Sequence, residues 1–206
     1  MKIIGLVGGS GAGKGAVAEL LKKYNIASID TDAVYHELVS APSPCTEELK
    51  KAFGDKIIKP DGSVDRHILA ETVFADGAEK KRELLNSIAH RFVLDEVRRL
   101  IPGLEKMGCA AVLVDAPLLF ESGFDKECDS ILCVTARKDV RMERIIQRDG
   151  ITREMALSRI ASQKSDDELI SRSDFLIENN GDRDALEESI GRLVPSILNK
   201  GDKGNG

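Results

Sequence analysis

Seven residues near the amino terminus have types and spacing suited to holding phosphate: Gly8-Gly9-Ser10-Gly11-Ala12-Gly13-Lys14. The run fits G-x-x-x-x-G-K. It follows the apolar run Ile3–Val7 and precedes Val17, Leu20 and Leu21 at helical spacing, so it joins a strand to a helix as the motif requires. Glycines let the backbone fold into a nest whose N–H groups point at phosphate oxygens, and the helix start adds its positive dipole end. Lys14 then reaches the β and γ phosphates of a nucleotide. The expected phosphate contacts are Gly11, Ala12, Gly13, Lys14, Gly15 and Ala16. A plain glycine-rich turn with a solvated lysine is the bland alternative, and the strand–helix context argues against it. Position 15 is glycine where the motif has Ser or Thr to give a hydroxyl to Mg²⁺. Water can take that coordination place on an ion that keeps several waters in any case. Ser10 lies mid-loop and is no replacement.

Chemistry on a bound phosphate also needs carboxylates and cations. In open α/β sheets ligands sit outside the carboxyl ends of the strands, where Asp30, Asp32 and Asp115 are expected. Asp32, at a helix start, is placed to take a proton from an acceptor hydroxyl, and Asp115, ending Ala110–Val114, to organise a metal. Helix capping competes as a reading of Asp30 and Asp32, and a turn role as one of Asp115. Lys138, Arg141, Arg144 and Arg148 recur at helical spacing, with Val140, Ile145 and Ile146 available for the apolar side. Such a face is often merely solvated. Placed in an insert after a strand, it suits a lid whose arginines clamp a transferring phosphoryl group, with Arg141 and Arg148 leading.

The elements that must carry these residues form an α/β pattern. Short apolar runs at Ile3–Val7, Ile26–Ile29, Cys109–Val114, Ile131–Thr135 and Phe175–Glu178 alternate with helical stretches, which predicts a five-stranded parallel sheet covered on both faces. The expected architecture is a three-layer α/β/α fold of the P-loop NTPase type. Its core takes residues 1–35, 108–137 and 173–200. Residues 36–107 show helical patterns at Thr46–Phe53, Arg66–Phe74 and Glu79–Leu100 and no strand, so they should form a helical lobe. Residues 138–172 form a helical lid, and the glycine-rich 201–206 a frayed tail.

Composition narrows the function classes. With 30 basic against 35 acidic residues the net charge is −5, which argues against broad nucleic-acid binding. Aromatics at 4% and no Trp leave no stacking platform for single strands. Cys45, Cys109, Cys128 and Cys133 form no C-x-x-C pair, and His36, His67 and His90 lack metal-ligand spacing, so buried thiols and structural histidines are expected. No apolar run reaches the roughly 18 residues of a membrane span. The amino terminus has no signal-peptide pattern, so a cytoplasmic protein is expected, a monomer or weak homo-oligomer.

Further matches extend along nearly the whole chain: Ile29-Asp30-Thr31-Asp32, Asp61-Gly62-Ser63-Val64-Asp65-Arg66, Leu85-Asn86-Ser87-Ile88-Ala89-His90, Asp115-Ala116-Pro117-Leu118-Leu119-Phe120-Glu121, Arg148-Asp149-Gly150-Ile151-Thr152, Gln163, and Asp174 through Gly181. On these residues the sequence resembles the dephospho-coenzyme A kinases. The phosphate loop is common to many kinases, whereas the ordered set I-D-x-D, P-L-L-F-E and N-N-G is specific. The resemblance implies ATP-dependent phosphorylation of the ribose 3′-hydroxyl of dephospho-coenzyme A, with Mg²⁺, the helical lobe holding the coenzyme A moiety. It implies Asp32 as base, Lys14 and Arg148 on the transferring charge, Asn179 through Gly181 near adenine, and His90, Leu118, Leu119, Phe120 and Glu121 facing the acceptor. Gly15-Ala16 and Arg91 depart from the family pattern, which has hydroxyl residues and a proline there. Another small-acceptor P-loop kinase, or a nucleotide-binding module without turnover, are the competing readings.

Overall fold

The computed structural model describes residues 1–75 and 77–199, so the expected tail at 201–206 lies outside the described residues. Five strands, β1 (Lys2–Val7), β2 (Ile26–Asp30), β3 (Ala111–Asp115), β4 (Ser130–Thr135) and β5 (Phe175–Glu178), form one parallel sheet in the order β2-β3-β1-β4-β5. Leu6 of β1 stands opposite Asp115 of β3, and Val7 opposite Cys133 of β4. The inner strands β1, β3 and β4 are short, nearly continuous apolar runs because both faces of the sheet are covered there, whereas the edge strands β2 and β5 are partly exposed. Ala111, Leu113, Leu132 and Val134 join one core cluster with Val17 and Leu20 of α1 (Lys14–Leu21) and Ile190 and Val194 of α9 (Arg183–Asn199). The alternate residues Val112, Val114 and Cys133 face the other way and are equally buried. This is the expected α/β architecture.

Contacts divide the chain into two compact units, residues 1–29 with the chain from Gly103 onward, and residues 30–102. The second unit holds α2 (Thr31–Val39), α3 (Pro44–Phe53), α4 (Arg66–Phe74) and most of α5 (Glu79–Lys106) around Val39, Leu49, Ile57, Leu69, Val73 and Ile88. The helix starts are written in the sequence. Ser43 and Thr46 make a reciprocal capping box with Pro44 in the first turn, and Asp65 accepts from the amides of His67 and Ile68 to start α4. Asp61 turns the chain by accepting from the Ser63 amide at 2.9 Å. The Asp61–Arg66 motif is therefore local structure. The helix expected to stop at Leu100 runs on through Pro102 to Lys106, although proline lacks the N–H that would bond the carbonyl four residues back. In the first unit, α6 (Lys138–Asp149), α7 (Arg153–Ala161) and α8 (Asp166–Ser171) follow β4, with Met142, Ile145 and Ala156 buried together and Ile146 packed against them.

Candidate active site

The phosphate loop leaves the central strand β1 and ends at Gly13, the residue before α1, in a left-handed conformation with φ 99°. A side chain there would be strained and would also collide with Asn179 Nδ2. Asn179 follows β5, is 5% exposed, and donates from Nδ2 to the Ala12 carbonyl at 2.9 Å. Its own amide donates to Thr135 O at the end of β4, so two strand ends brace the loop from below. Lys14 Nζ lies 3.2 Å from the Gly8 carbonyl and 3.8 Å from Asp115 Oδ1. The β1–β3 register brings that carboxylate beside the loop.

Three arginines of α6 converge on the same loop. Arg141 Nε donates to Ser10 O at 2.9 Å, Arg144 Nη1 lies 3.4 Å from Gly11 O and Ala12 O, and Arg148 Nη2 is 3.4 Å from Ser10 Oγ. The fourth cation of the sequence stripe, Lys138, is exposed. Arg141 differs from the expected lid arginine. It is 4% exposed, and its remaining nitrogens are engaged by Asp166 at 2.9 Å and Gln163 at 3.1 Å. It braces the loop rather than standing open to phosphate. Arg148 is exposed and held in a fork by both oxygens of Asp149, which also pairs with Arg159. The Arg148 hydrogen bond is the main cause that lowers the Asp149 carboxyl to about 2 and raises the guanidinium. Sequence reasoning undervalued Arg144 and gave Gln163 no role. Helical spacing reveals a shared face but not partners tens of residues away.

Asp30 and Asp32 separate cleanly. Asp30 Oδ1 accepts from the amides of Asp32 (2.9 Å) and Ala33 (3.2 Å) and so caps α2. Asp32 sits exposed in the first turn, and its carboxylate is not the cap. Among the described residues no group of three or more His, Cys, Asp or Glu is placed to hold a metal ion. That donor set still fits Mg²⁺ in a nucleotide complex, which needs only one or two carboxylates beside phosphate oxygens and water. Asp115 is the carboxylate beside the loop, and Gly15 has open space around it.

The segment expected to face an acceptor divides. Leu118 is 38% exposed, but Leu119 is fully buried, and its Cδ2 would lie 2.6 Å from a β-carbon at Gly5. Leu119 is thus a core residue here, a correction to the expected acceptor contact. Phe120 lies under the Arg172 guanidinium, 3.7 Å from its ring centroid, and Glu121 pairs with Lys164 at 3.2 Å. In the helical unit, His90 is partly buried on α5. Its neighbour Arg91 pairs with Glu48 and, with Lys51, Leu84, Ser87 and Ile88, lines a groove of about 460 Å³ between α3 and α5. Gly181 follows the Asn179-Asn180 pair, and Asn180 Oδ1 accepts from the Arg137 amide at 2.7 Å.

A phosphate loop on the central strand of a parallel sheet, collared by basic side chains and flanked by a strand-end carboxylate, defines a P-loop kinase. Comparison with known proteins narrows the class. A profile of the dephospho-CoA kinases matches residues 2–185, and the chain belongs to that family. It is 36% identical over 197 residues to the dephospho-CoA kinase of Corynebacterium glutamicum, across 96% of this chain and 98% of that one. A crystal structure of a Thermus thermophilus protein is 30% identical, with a TM-score of 0.76 over 95% of this chain and 97% of the other. The dephospho-CoA kinase from Campylobacter jejuni, 24% identical over 96% of this chain and 98% of its own, shares the fold with a TM-score of 0.70.

Proposed function

We propose that the chain transfers the γ-phosphoryl group of ATP to the ribose 3′-hydroxyl of dephospho-coenzyme A, giving coenzyme A and ADP, the last step of coenzyme A synthesis. The observation that carries this reading is the collar of Lys14, Arg141, Arg144 and Arg148 around the loop within a chain of this family. Phosphoryl transfer asks little covalent chemistry of a protein and much positioning and charge stabilisation. Backbone amides from Gly11 to Ala16 hold the phosphates, Lys14 turns from Asp115 to the β and γ oxygens, and Arg148 meets charge that grows on the transferring group. Asp32 accepts the 3′-hydroxyl proton as that oxygen bonds to the γ-phosphorus and the bond to the ADP oxygen breaks. Asn179 and Gly181 border the adenine. His90, Leu118, Phe120 and Glu121 face the acceptor, which the helical unit holds. Mg²⁺, when bound, neutralises and aligns the phosphate oxygens, and Asp115 is the residue that would hold it through water and phosphate.

Among the described residues no helix is long and apolar enough to cross a membrane. The proposed partners are ATP and dephospho-coenzyme A alone, for a cytoplasmic enzyme that binds no nucleic acid and is a monomer or weak homo-oligomer. The test is ADP release from Mg-ATP with dephospho-coenzyme A, with the common nucleoside monophosphates and with no acceptor, plus mass spectrometry of the product. Turnover with dephospho-coenzyme A alone, to a product one phosphate heavier, is expected. Preference for a nucleoside monophosphate would replace the acceptor, and ATP binding without turnover would make the chain a nucleotide-binding module.

A further inference from the structure

Ser10, at the tip of the phosphate loop, is held through each of its polar groups by the α6–α8 insert. Its amide donates to Gln163 Oε1 at 2.8 Å, its carbonyl accepts from Arg141 Nε at 2.9 Å, and its hydroxyl lies 3.4 Å from Arg148 Nη2. Gln163 Oε1 also accepts from Arg141 Nη2 at 3.1 Å, so one carboxamide oxygen binds both the loop amide and the guanidinium that holds the carbonyl of the same residue. The guanidinium lies so close over Gly9 that a β-carbon there would collide with Nη2. Asp166 Oδ1 fixes its third nitrogen at 2.9 Å. Gln163 itself is exposed in the turn between α7 and α8 and contributes little to any core.

We infer that Gln163 is a positioning residue for ATP phosphates. Its oxygen orients the Ser10 peptide and the Arg141 side chain before nucleotide arrives, so that binding does not have to order the loop tip. The inference rests on the reading of this loop as an ATP site. The chemistry needs an acceptor with no charge of its own: a carboxamide oxygen satisfies two N–H groups without adding negative charge beside phosphates. Removing it leaves the Ser10 amide and one Arg141 nitrogen without that partner, and the loop tip gains freedom that ATP must then remove. Since phosphates themselves engage loop amides once bound, the effect falls on ATP affinity more than on the chemical step.

The test uses the nucleotide-free full chain and two variants, Gln163→Leu and Gln163→Glu. Exchange of the Ser10 amide is followed by NMR, and ATP affinity by titration calorimetry, which needs no turnover. In Gln163→Leu the Ser10 amide should exchange roughly tenfold faster and ATP should bind roughly tenfold more weakly, the size expected for one lost hydrogen bond. Amides of β1 and β4 should keep their protection. Gln163→Glu retains an acceptor oxygen and should keep Ser10 protected, while its added charge weakens ATP. Equal Ser10 exchange in wild type and Gln163→Leu, or unchanged ATP affinity, overturns the inference. A chain that binds ATP with these shifts yet phosphorylates no acceptor would overturn the proposed reaction and leave the role of Gln163 standing.

Discussion

Asp30 and Asp32 are two residues apart and chemically identical, yet local hydrogen bonding gives them different work. Because Asp30 Oδ1 takes the two capping amides, α2 does not depend on the Asp32 carboxylate for its start. Asp32→Asn should therefore leave the fold and ATP affinity nearly intact and lower turnover by ~100-fold or more, as loss of a general base does. Kinetics beside an ATP titration check this, and a loss under tenfold would remove Asp32 from the role. Gly15 supplies the second prediction at this scale. Nothing lies within 4 Å of a β-carbon built there, and no positive φ is found at that position, so a serine fits without strain. Gly15→Ser should restore the hydroxyl that P-loops commonly give to Mg²⁺ and lower the Mg²⁺ concentration for half-maximal rate. An unchanged metal dependence would show that water already fills the place. The Arg148–Asp149 fork contributes no pH switch near neutrality. With the Asp149 carboxyl lowered to about 2, the pairing is fully present above the ordinary carboxylate range and is lost only as pH falls through about 2.

At the scale of elements, the turn after β3 tests how a motif divides between packing and binding. Leu119 fills the space over Gly5, whereas Leu118 is partly exposed. Leu119→Ala should destabilise the fold by about 3 kcal/mol through the cavity it leaves, with KM for the acceptor little changed in the folded fraction. Leu118→Ala should leave stability within about 0.5 kcal/mol, a surface-substitution effect, and raise KM for the acceptor. Thermal unfolding with steady-state kinetics distinguishes the two. Both leucines read alike in the sequence, because P-L-L-F-E carries no sign of which side chain turns inward. The strands were legible for the opposite reason: in the inner part of a sheet covered on both faces the residues are mostly apolar, and Gly8, Asp30 and Asp115 mark where β1, β2 and β3 stop. Helix starts were legible at Asp30 and Asp65, whereas α3 begins at Pro44 rather than the expected Thr46, because the Ser43 capping box with its N1 proline starts it earlier than the apolar spacing shows. The Arg141 role was not legible, since its burial depends on Asp166, Gln163 and the Ser10 carbonyl, which only the folded chain brings together.

Across the whole molecule, each compact unit carries its own core, and titratable groups buried in them are unequally shared. Tyr35 and Cys45 belong to the helical unit, where burial first of all pushes the phenol up to about 12 and the thiol to about 11. In the sheet unit Cys133 of β4 is pushed to about 11, again chiefly by burial. A raised acid pKa means that the folded state keeps a proton that the unfolded chain has released. Stability is then full below the ordinary value, 9 for these thiols and 10 for the tyrosine, and declines as pH rises through it towards the folded value. Two such groups act on the helical unit, with windows that overlap between pH 10 and 11. That unit should open first in alkali if the two open as separate cooperative units. Alkylation with iodoacetamide at stepped pH from 8 to 11, read by peptide mass spectrometry, follows Cys45 and Cys133 in the same sample. Cys45 should label earlier and more steeply than Cys133. Saturating ATP, on the proposed binding at the phosphate loop of the sheet unit, should slow Cys133 and leave Cys45 within about threefold, because a ligand stabilises only the state that binds it. Equal slowing of both thiols would show that the two units open together.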